Sequence, residues 1–154
     1  MARLDHMTKH VFIVPGLVLA YVLREPAINN AWLWTIPLGF LSAILIASAN
    51  YIINEWLDRE FDAFHPDKSN RPAVNVKLSE SIVYAFYGIV SLLGLAVAWA
   101  AGPLFFLVSC LFWASGVVYN VEPMRSKDKP YLDVLSESLN NPIRMMLGLS
   151  LIHI

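Results

Sequence analysis

AWLWTIPLGFLSAILIASANYIINEWLDREFD (31–62) is the stretch that decides the fold, because an apolar run passes directly into an acidic segment. Residues 31–53 carry no charged side chain and are long enough to cross a hydrocarbon core about 30 Å thick as a helix. Trp32 and Trp34 lie at the outer end, where indole rings favour the membrane interface. This run predicts a transmembrane helix with a polar inner end.

Further apolar runs on both sides predict additional spans. The run at 11–23 is short for a span, whereas 81–121 has no charged residue and is long enough for two. Gly102 and Pro103 supply the helix stop and restart between those two. A last segment from Tyr131 starts polar and turns apolar. The pattern predicts an all-α, polytopic transmembrane helical bundle of four to five spans.

Composition supports a protein in lipid, with 57% hydrophobic and only 15% charged residues. The net charge of -1 gives no general basic field, so no nucleic-acid partner is expected. Neither a fixed-period repeat nor a low-complexity linker divides the chain, which predicts one domain over 1–154.

The eleven Lys and Arg indicate the orientation of the bundle. They concentrate in the segments 3–9, 59–77 and 125–129, while the opposite loops carry only Arg24. Basic residues in short loops are retained on the cytoplasmic side. We therefore expect a multi-pass integral membrane protein with its N-terminus and its acidic segment facing the cytoplasm.

The acidic segment places Asn54, Asp58 and Asp62 at every fourth position. On a helix these side chains fall within an arc of about 80° and form one stripe. Stacked like charges destabilise a helix, so a cation is expected to offset them. Mg²⁺ takes hard oxygen ligands, commonly one or two carboxylates plus phosphate oxygens. The stripe predicts a Mg²⁺ site, although a solvated helix end paired with Arg59 is the simpler alternative.

Two basic loops follow the predicted spans, DKSNRP (67–72) and YNVEPMRSK (119–127). Arg and Lys side chains bind the negative oxygens of a diphosphate that metal ions leave unneutralised. Each loop alone is also typical of a topology signal.

A second acidic pair, Asp133 and Glu137, has the same four-residue spacing where the last helix enters the membrane. Intramembrane acids are functional candidates because an unpaired charge there is costly. An ion pair between Asp133 and Arg144 is the structural alternative.

These four segments together resemble a known family. NEWLDREFD (54–62) resembles the Asn-Asp-x-x-Asp-x-x-x-Asp signature of the UbiA superfamily of intramembrane prenyltransferases, and KSNRP (68–72) resembles the loop that follows it. Residues 119–127 resemble the Tyr-x-x-Pro-Pro-x-Arg-x-Lys loop of that family, and LDVLSE (132–137) resembles its second acidic motif.

The resemblance implies transfer of a prenyl group from a polyprenyl diphosphate to a lipophilic, often aromatic acceptor, through ionisation to an allylic cation. It assigns catalysis to Asp58, Asp62 and Asp133. Two Mg²⁺ ions would be held by Asn54, Asp58, Asp62, Asp133 and Glu137. The diphosphate would be bound by Lys68, Arg71, Tyr119, Arg125 and Lys127. An apolar pocket near Phe86, Tyr87 and Trp113 is a candidate for the prenyl tail, although packing is the commoner role of such side chains.

Two residues depart from the family pattern, since Glu55 and Glu137 stand where Asp is usual. The family bundle has roughly nine spans of about 20 residues, nearly twice this chain. The resemblance therefore implies the N-terminal half of such an enzyme, a truncated bundle that we expect to be inactive by itself. The alternatives from other classes are an inactive scaffold and a membrane carrier of divalent cations, which would not need the basic loops.

Overall fold

The computed structural model describes residues 9–24 and 30–152, and that part of the chain contains helices and no strand. A single turn of 3₁₀-helix, Ser126–Asp128, precedes the last helix. The α-helices are α1 (Ile13–Arg24), α2 (Trp32–Leu57), α3 (Arg59–Asp62), α4 (Pro72–Asn75), α5 (Glu80–Ala101), α6 (Pro103–Asn120) and α7 (Pro130–Leu151). The all-α prediction is confirmed.

Three of the helices, α2, α5 and α6, are long and apolar enough to cross a membrane by length and composition. They have 26, 22 and 18 residues. The first apolar stretch forms a shorter helix, Lys9–Leu23, as its limited length predicted. All five predicted helices are present in the expected order, while Arg3, part of the orientation argument, lies outside the described residues.

The predicted break between the two middle spans is at Gly102. Its backbone adopts φ 148° and ψ 155°, a conformation that residues with a side chain rarely take. Pro103 occupies the first turn of α6, where its missing N–H group costs no hydrogen bond. The Gly-Pro pair therefore ends α5 and begins α6 within one residue.

The helices pack in neighbouring pairs, α2 along α5, α1 along α7, and α6 against α2, α5 and α7. Apolar side chains from all five long helices form one core, including Ile13, Ile46, Ala98, Phe105, Phe112 and Leu147. Many outward side chains of α5 are exposed and apolar, such as Ile82, Ile89 and Leu92.

Small residues allow the backbones to approach closely at two crossings. Ser42 Oγ donates a hydrogen bond of 2.8 Å to the carbonyl oxygen of Gly94, which joins α2 to α5. Gly16 and Gly148 face each other where α1 crosses α7, and a Cβ atom on either would overlap backbone of the other helix. In lipid, such packing is a main source of helix association.

We predict that Gly148→Ala lowers the thermal stability of the protein in detergent micelles, because the added methyl group overlaps the carbonyl oxygen of Ile13. The expected loss is about 1–3 kcal/mol, the usual cost of overpacking. Gly88→Ala is the matched control, since among the described residues no atom beyond its own stretch of helix lies within 4 Å of the new Cβ. The control is expected to keep or raise the stability, and equal behaviour of the two variants would contradict the packing argument.

Candidate active site

The acidic stripe lies at the C-terminal end of α2, where the helix is interrupted at Asp58. The interruption is slight, because Asp58 N still donates to Asn54 O at 3.0 Å and Asp62 N donates to Asp58 O at 2.8 Å. The four-residue repeat therefore keeps its helical spacing across the boundary between α2 and α3. The stripe predicted from the sequence is present in the backbone.

Asp58 joins this stripe to the second basic loop. Its Oδ1 accepts hydrogen bonds from Arg125 Nη2 at 2.9 Å and from Lys127 Nζ at 2.7 Å, across 67 and 69 residues of sequence. Burial lowers the pKa of Lys127 from its ordinary value, and the bond to Asp58 opposes this shift. These ion pairs bring the acidic stripe and the second basic loop together, although the two segments lie far apart in the sequence.

Asn120 extends the contact into the bundle. Its Oδ1 accepts hydrogen bonds from Lys127 Nζ at 3.2 Å and from Asn54 Nδ2, while its own amide donates to Gly116 O at 2.9 Å. The side chain is buried. Asn54, Asn120, Lys127 and Asp58 thus form one polar network between α2, α6 and the 3₁₀ turn.

Asp62 has its own pair of basic partners from the first basic loop. Arg71 Nη1 donates to its Oδ2, and Lys68 Nζ lies 3.8 Å from its Oδ1. Glu55 lies off the stripe, where its Oε1 accepts a bond of 3.1 Å from Ala73 N and links α2 to α4. The departure at Glu55 therefore affects the packing of the loop rather than the stripe.

The two residues of the second acidic pair have different partners. Tyr119 Oη donates to Asp133 Oδ1 at 3.0 Å, and Lys9 Nζ lies 3.8 Å from Glu137 Oε1. The suggested ion pair between Asp133 and Arg144 is not formed in the described part of the chain.

The donor set suits a magnesium ion that arrives with a substrate. Within residues 9–24 and 30–152, no three His, Cys, Asp or Glu side chains cluster to hold a metal by themselves. Asp58 and Asp62 instead each face two basic groups. Mg²⁺ needs only one or two protein carboxylates when phosphate oxygens complete its shell, so these residues fit it. The metal roles of all five predicted ligands stay predictions: Asn54, Asp58, Asp62, Asp133 and Glu137.

A cavity of about 570 Å³ opens beside the polar network. Asn54, Arg71, Tyr119 and Asn120 line it from the site, together with apolar side chains that include Phe12 and Phe112. Phe86, Tyr87 and Trp113 do not line this cavity. Trp113 Nε1 instead donates to Ser91 Oγ at 3.2 Å, which is a packing role.

Several cavity residues were not identified from the sequence as part of the site. Asn120 and Asn50 are amides at the ends of uncharged runs, and Lys9 and Arg144 were read only as a topology signal and an ion-pair partner. The sequence signal for such a residue is a polar side chain inside an apolar run. The run alone does not show whether that side chain points into the bundle or away from it. Their convergence depends on how α1, α2, α6 and α7 pack.

The apolar spans and the acidic and basic groups at one end define a polytopic membrane protein with a polar site open to an internal cavity. The profile of the UbiA prenyltransferase family matches residues 12–153, and the chain belongs to this family. Its membership and its apolar helices make it an integral membrane protein.

Two relatives match part of the chain. The nodulation protein NoeC of Azorhizobium caulinodans is 30% identical over 113 residues, 71% of this chain and 36% of that protein. Digeranylgeranylglyceryl phosphate synthase of Archaeoglobus fulgidus is 28% identical over 85 residues, 55% of this chain and 27% of that protein.

Two solved structures have the same fold. A UbiA homolog from Archaeoglobus fulgidus bound to DMAPP and Mg²⁺ matches with a TM-score of 0.82 and 26% identity. The homolog bound to GPP and Mg²⁺ matches with a TM-score of 0.82 and 27% identity. Each match covers 99% of this chain and 54% or 53% of the other, so the chain spans about half the length of these structures.

We predict that Asn120→Ala destabilises the polar network, because Asn54 and Lys127 each lose a buried hydrogen-bond partner. The expected decrease in the free energy of unfolding is about 1–3 kcal/mol, measured by titration with a denaturing detergent. Asn70→Ala, at an exposed position, is the control and should stay within about 0.5 kcal/mol of the wild type. A decrease of the same size in both variants would refute the prediction.

Proposed function

We propose that the protein transfers a prenyl group from a polyprenyl diphosphate to a lipophilic acceptor within the membrane. The observation that carries the proposal is the contact of Asp58 with both Arg125 and Lys127, which unites an acidic motif and a basic loop at one end of the bundle. Family membership and the relatives bound to prenyl diphosphates and Mg²⁺ support it.

The diphosphate would bind where the basic side chains meet the stripe. Arg125 and Lys127 from one loop and Arg71 and Lys68 from the other carry positive charges beside Asp58 and Asp62. A bound diphosphate would compete for these cations, and its oxygens would receive charge-assisted hydrogen bonds from them. The two carboxylates would then be released to hold metal rather than lysine and arginine.

The predicted ligand set is that of two Mg²⁺ ions. Such ions would neutralise the charge that develops on the departing diphosphate. In our proposal Asn54, Asp58 and Asp62 hold one side of this centre, and Asp133 and Glu137 supply ligands on the other. Tyr119 would orient Asp133 through the hydrogen bond between them. Stabilisation of the leaving group allows the carbon–oxygen bond to break and give an allylic cation.

The cavity beside the network would hold the reacting groups away from water. It is lined by apolar side chains as well as the amides, and it adjoins the phosphate-binding end. Exclusion of water protects an allylic cation from hydrolysis and leaves it for the acceptor. We further propose that this end faces the cytoplasm, with the N-terminus on the same side, as the basic loops predict.

Activity is proposed for the whole protein, because the chain spans about half the length of the matching structures. The proposal therefore concerns the complete polypeptide that carries these residues.

We predict that Asp58→Asn in the complete protein abolishes Mg²⁺-dependent release of diphosphate from geranyl diphosphate, by a hundredfold or more, roughly the cost of losing one strong electrostatic contact in catalysis. Glu60→Gln is the matched control, since its carboxylate is exposed and pairs with the neighbouring Arg59. Diphosphate release is measured in membranes with and without EDTA. Full activity of Asp58→Asn would remove the assigned role.

Lys127 gives a second test of the diphosphate site, with Lys129 as its matched control. Lys127 is mostly buried against Asp58, whereas Lys129 is exposed. We expect Lys127→Gln to raise the KM for the prenyl diphosphate by about tenfold, the value of one charge-assisted hydrogen bond, and Lys129→Gln to change it less than twofold. Equal effects would indicate general charge attraction instead of a specific contact.

A further inference from the structure

Ser126 is a buried hydroxyl residue in the second basic loop, and the proposed reaction gives it no role. It begins the 3₁₀ turn Ser126–Asp128, and only 4% of its surface is exposed. Its two neighbours, Arg125 and Lys127, both reach Oδ1 of Asp58, at 2.9 and 2.7 Å. The residues on either side of Ser126 thus converge on one carboxylate oxygen, while Ser126 itself bonds elsewhere.

The partner of Ser126 lies on the helix that carries the second acidic motif. Its Oγ lies 2.7 Å from Oγ of Ser136, and either hydroxyl can be the donor. Ser136 follows Asp133 by three residues on α7, which places the two side chains on one face of the helix. The bond therefore connects the loop that holds Asp58 to the helix face that presents Asp133.

Two further hydrogen bonds hold the same face of α7 against α6. Tyr119 Oη donates to Asp133 Oδ1 at 3.0 Å, and Ser115 Oγ donates to Asn140 Oδ1 at 3.4 Å. Ser136 lies between these contacts, three residues after Asp133 and four before Asn140. The turn is thus attached to a face of α7 whose position against α6 is set by bonds on both sides of the attachment.

The loop needs such an attachment because its backbone is strained. Arg125 has φ 26° and ψ 61°, in the left-handed region that residues with a side chain rarely adopt. A conformation of this kind persists only where the surrounding contacts determine it. The backbone bonds from Asp128 N to Arg125 O and from Lys129 N to Ser126 O, both 3.1 Å long, are local to the loop. The bond from Ser126 to Ser136 adds a side-chain contact with α7.

We propose that the hydrogen bond between Ser126 and Ser136 is a clamp that holds Arg125 and Lys127 in place beside Asp133. The basic loop and the second acidic motif can then act on the same diphosphate. For the identity of this ligand, the role of the clamp rests on the proposed function. Neither serine lines the cavity beside the polar network. Both are positioning residues, which act through Arg125 and Lys127.

The first test measures the clamp without any ligand. Hydrogen–deuterium exchange is followed in the complete protein in detergent micelles, in the peptide that covers 121–129, where backbone amides of the turn are hydrogen-bonded. We expect Ser136→Ala to speed this exchange about fivefold, the effect of one ordinary hydrogen bond. Ser138→Ala is the matched control, because its exposed hydroxyl donates to Val134 O within the same helix. Equal exchange in the wild type and in Ser136→Ala would overturn the clamp.

The second test measures ligand binding. Inorganic diphosphate with Mg²⁺ is the probe, and it is titrated into the complete protein by calorimetry. Ser126→Ala and Ser136→Ala should each raise the Kd about fivefold, and the double variant should raise it no further, because each change breaks the same bond. Ser136→Thr keeps the hydroxyl and should restore the affinity. Losses that add in the double variant would contradict the clamp.

A double-mutant cycle with Lys127→Gln tests whether Ser136 acts through the loop cations. In that background the effect of Ser136→Ala on the Kd should shrink from about fivefold to about twofold, since only Arg125 then remains to be positioned. Lys129→Gln removes an exposed charge from the same loop and should leave the full effect. Equal effects of Ser136→Ala in the two backgrounds would contradict a positioning role and indicate a general loss of stability.

Failure of the positioning role and failure of the proposed function give different results. A wild-type protein that releases no diphosphate from geranyl diphosphate with Mg²⁺ would refute the proposed function, whereas faster exchange of 121–129 in Ser136→Ala would still establish the clamp. Normal release of diphosphate by the wild type, together with an unchanged Kd in Ser136→Ala, would overturn the positioning role alone.

Discussion

The contact of Asp58 with Arg125 and Lys127 is the interaction on which the arrangement of the site depends. It closes a sequence separation of more than 60 residues and fixes the second basic loop over the end of α2. Charges at this depth are tolerated only when they are paired, because the surrounding helices are apolar. The pairing concentrates acidic and basic side chains at one place. There a diphosphate could replace the carboxylates as partner of the bases, and a hard cation could replace the bases as partner of the carboxylates.

Helix packing sets the frame that makes this contact possible. The pairs α2 with α5 and α1 with α7 approach closely at small residues, among them Gly94, Gly16 and Gly148. These approaches leave α2, α6 and α7 facing one another around the cavity, so that polar side chains on each point into the same space. The apolar core holds the helices together, and the polar end carries the candidate site.

The cavity has two electrostatic regions that differ in how their charges are compensated. Near the stripe Asp58 and Asp62 each have two basic partners, whereas deeper in the bundle the Arg144 guanidinium lies over the ring of Phe112, and among the described residues no carboxylate lies within ion-pair distance of it.

The sequence by itself determined the helices, their order, the break at Gly102 and the helical spacing of Asn54, Asp58 and Asp62, because these depend on local hydrophobicity and on backbone preferences of glycine and proline. It also identified the basic loops. Only the tertiary structure decided that Asp58 meets Arg125 and Lys127, that Asn120 joins the network, and that Arg144 turns into the cavity instead of pairing with Asp133. Contacts between distant helices depend on their packing angles and on the fit of many side chains, and periodicity along one helix carries no information about either.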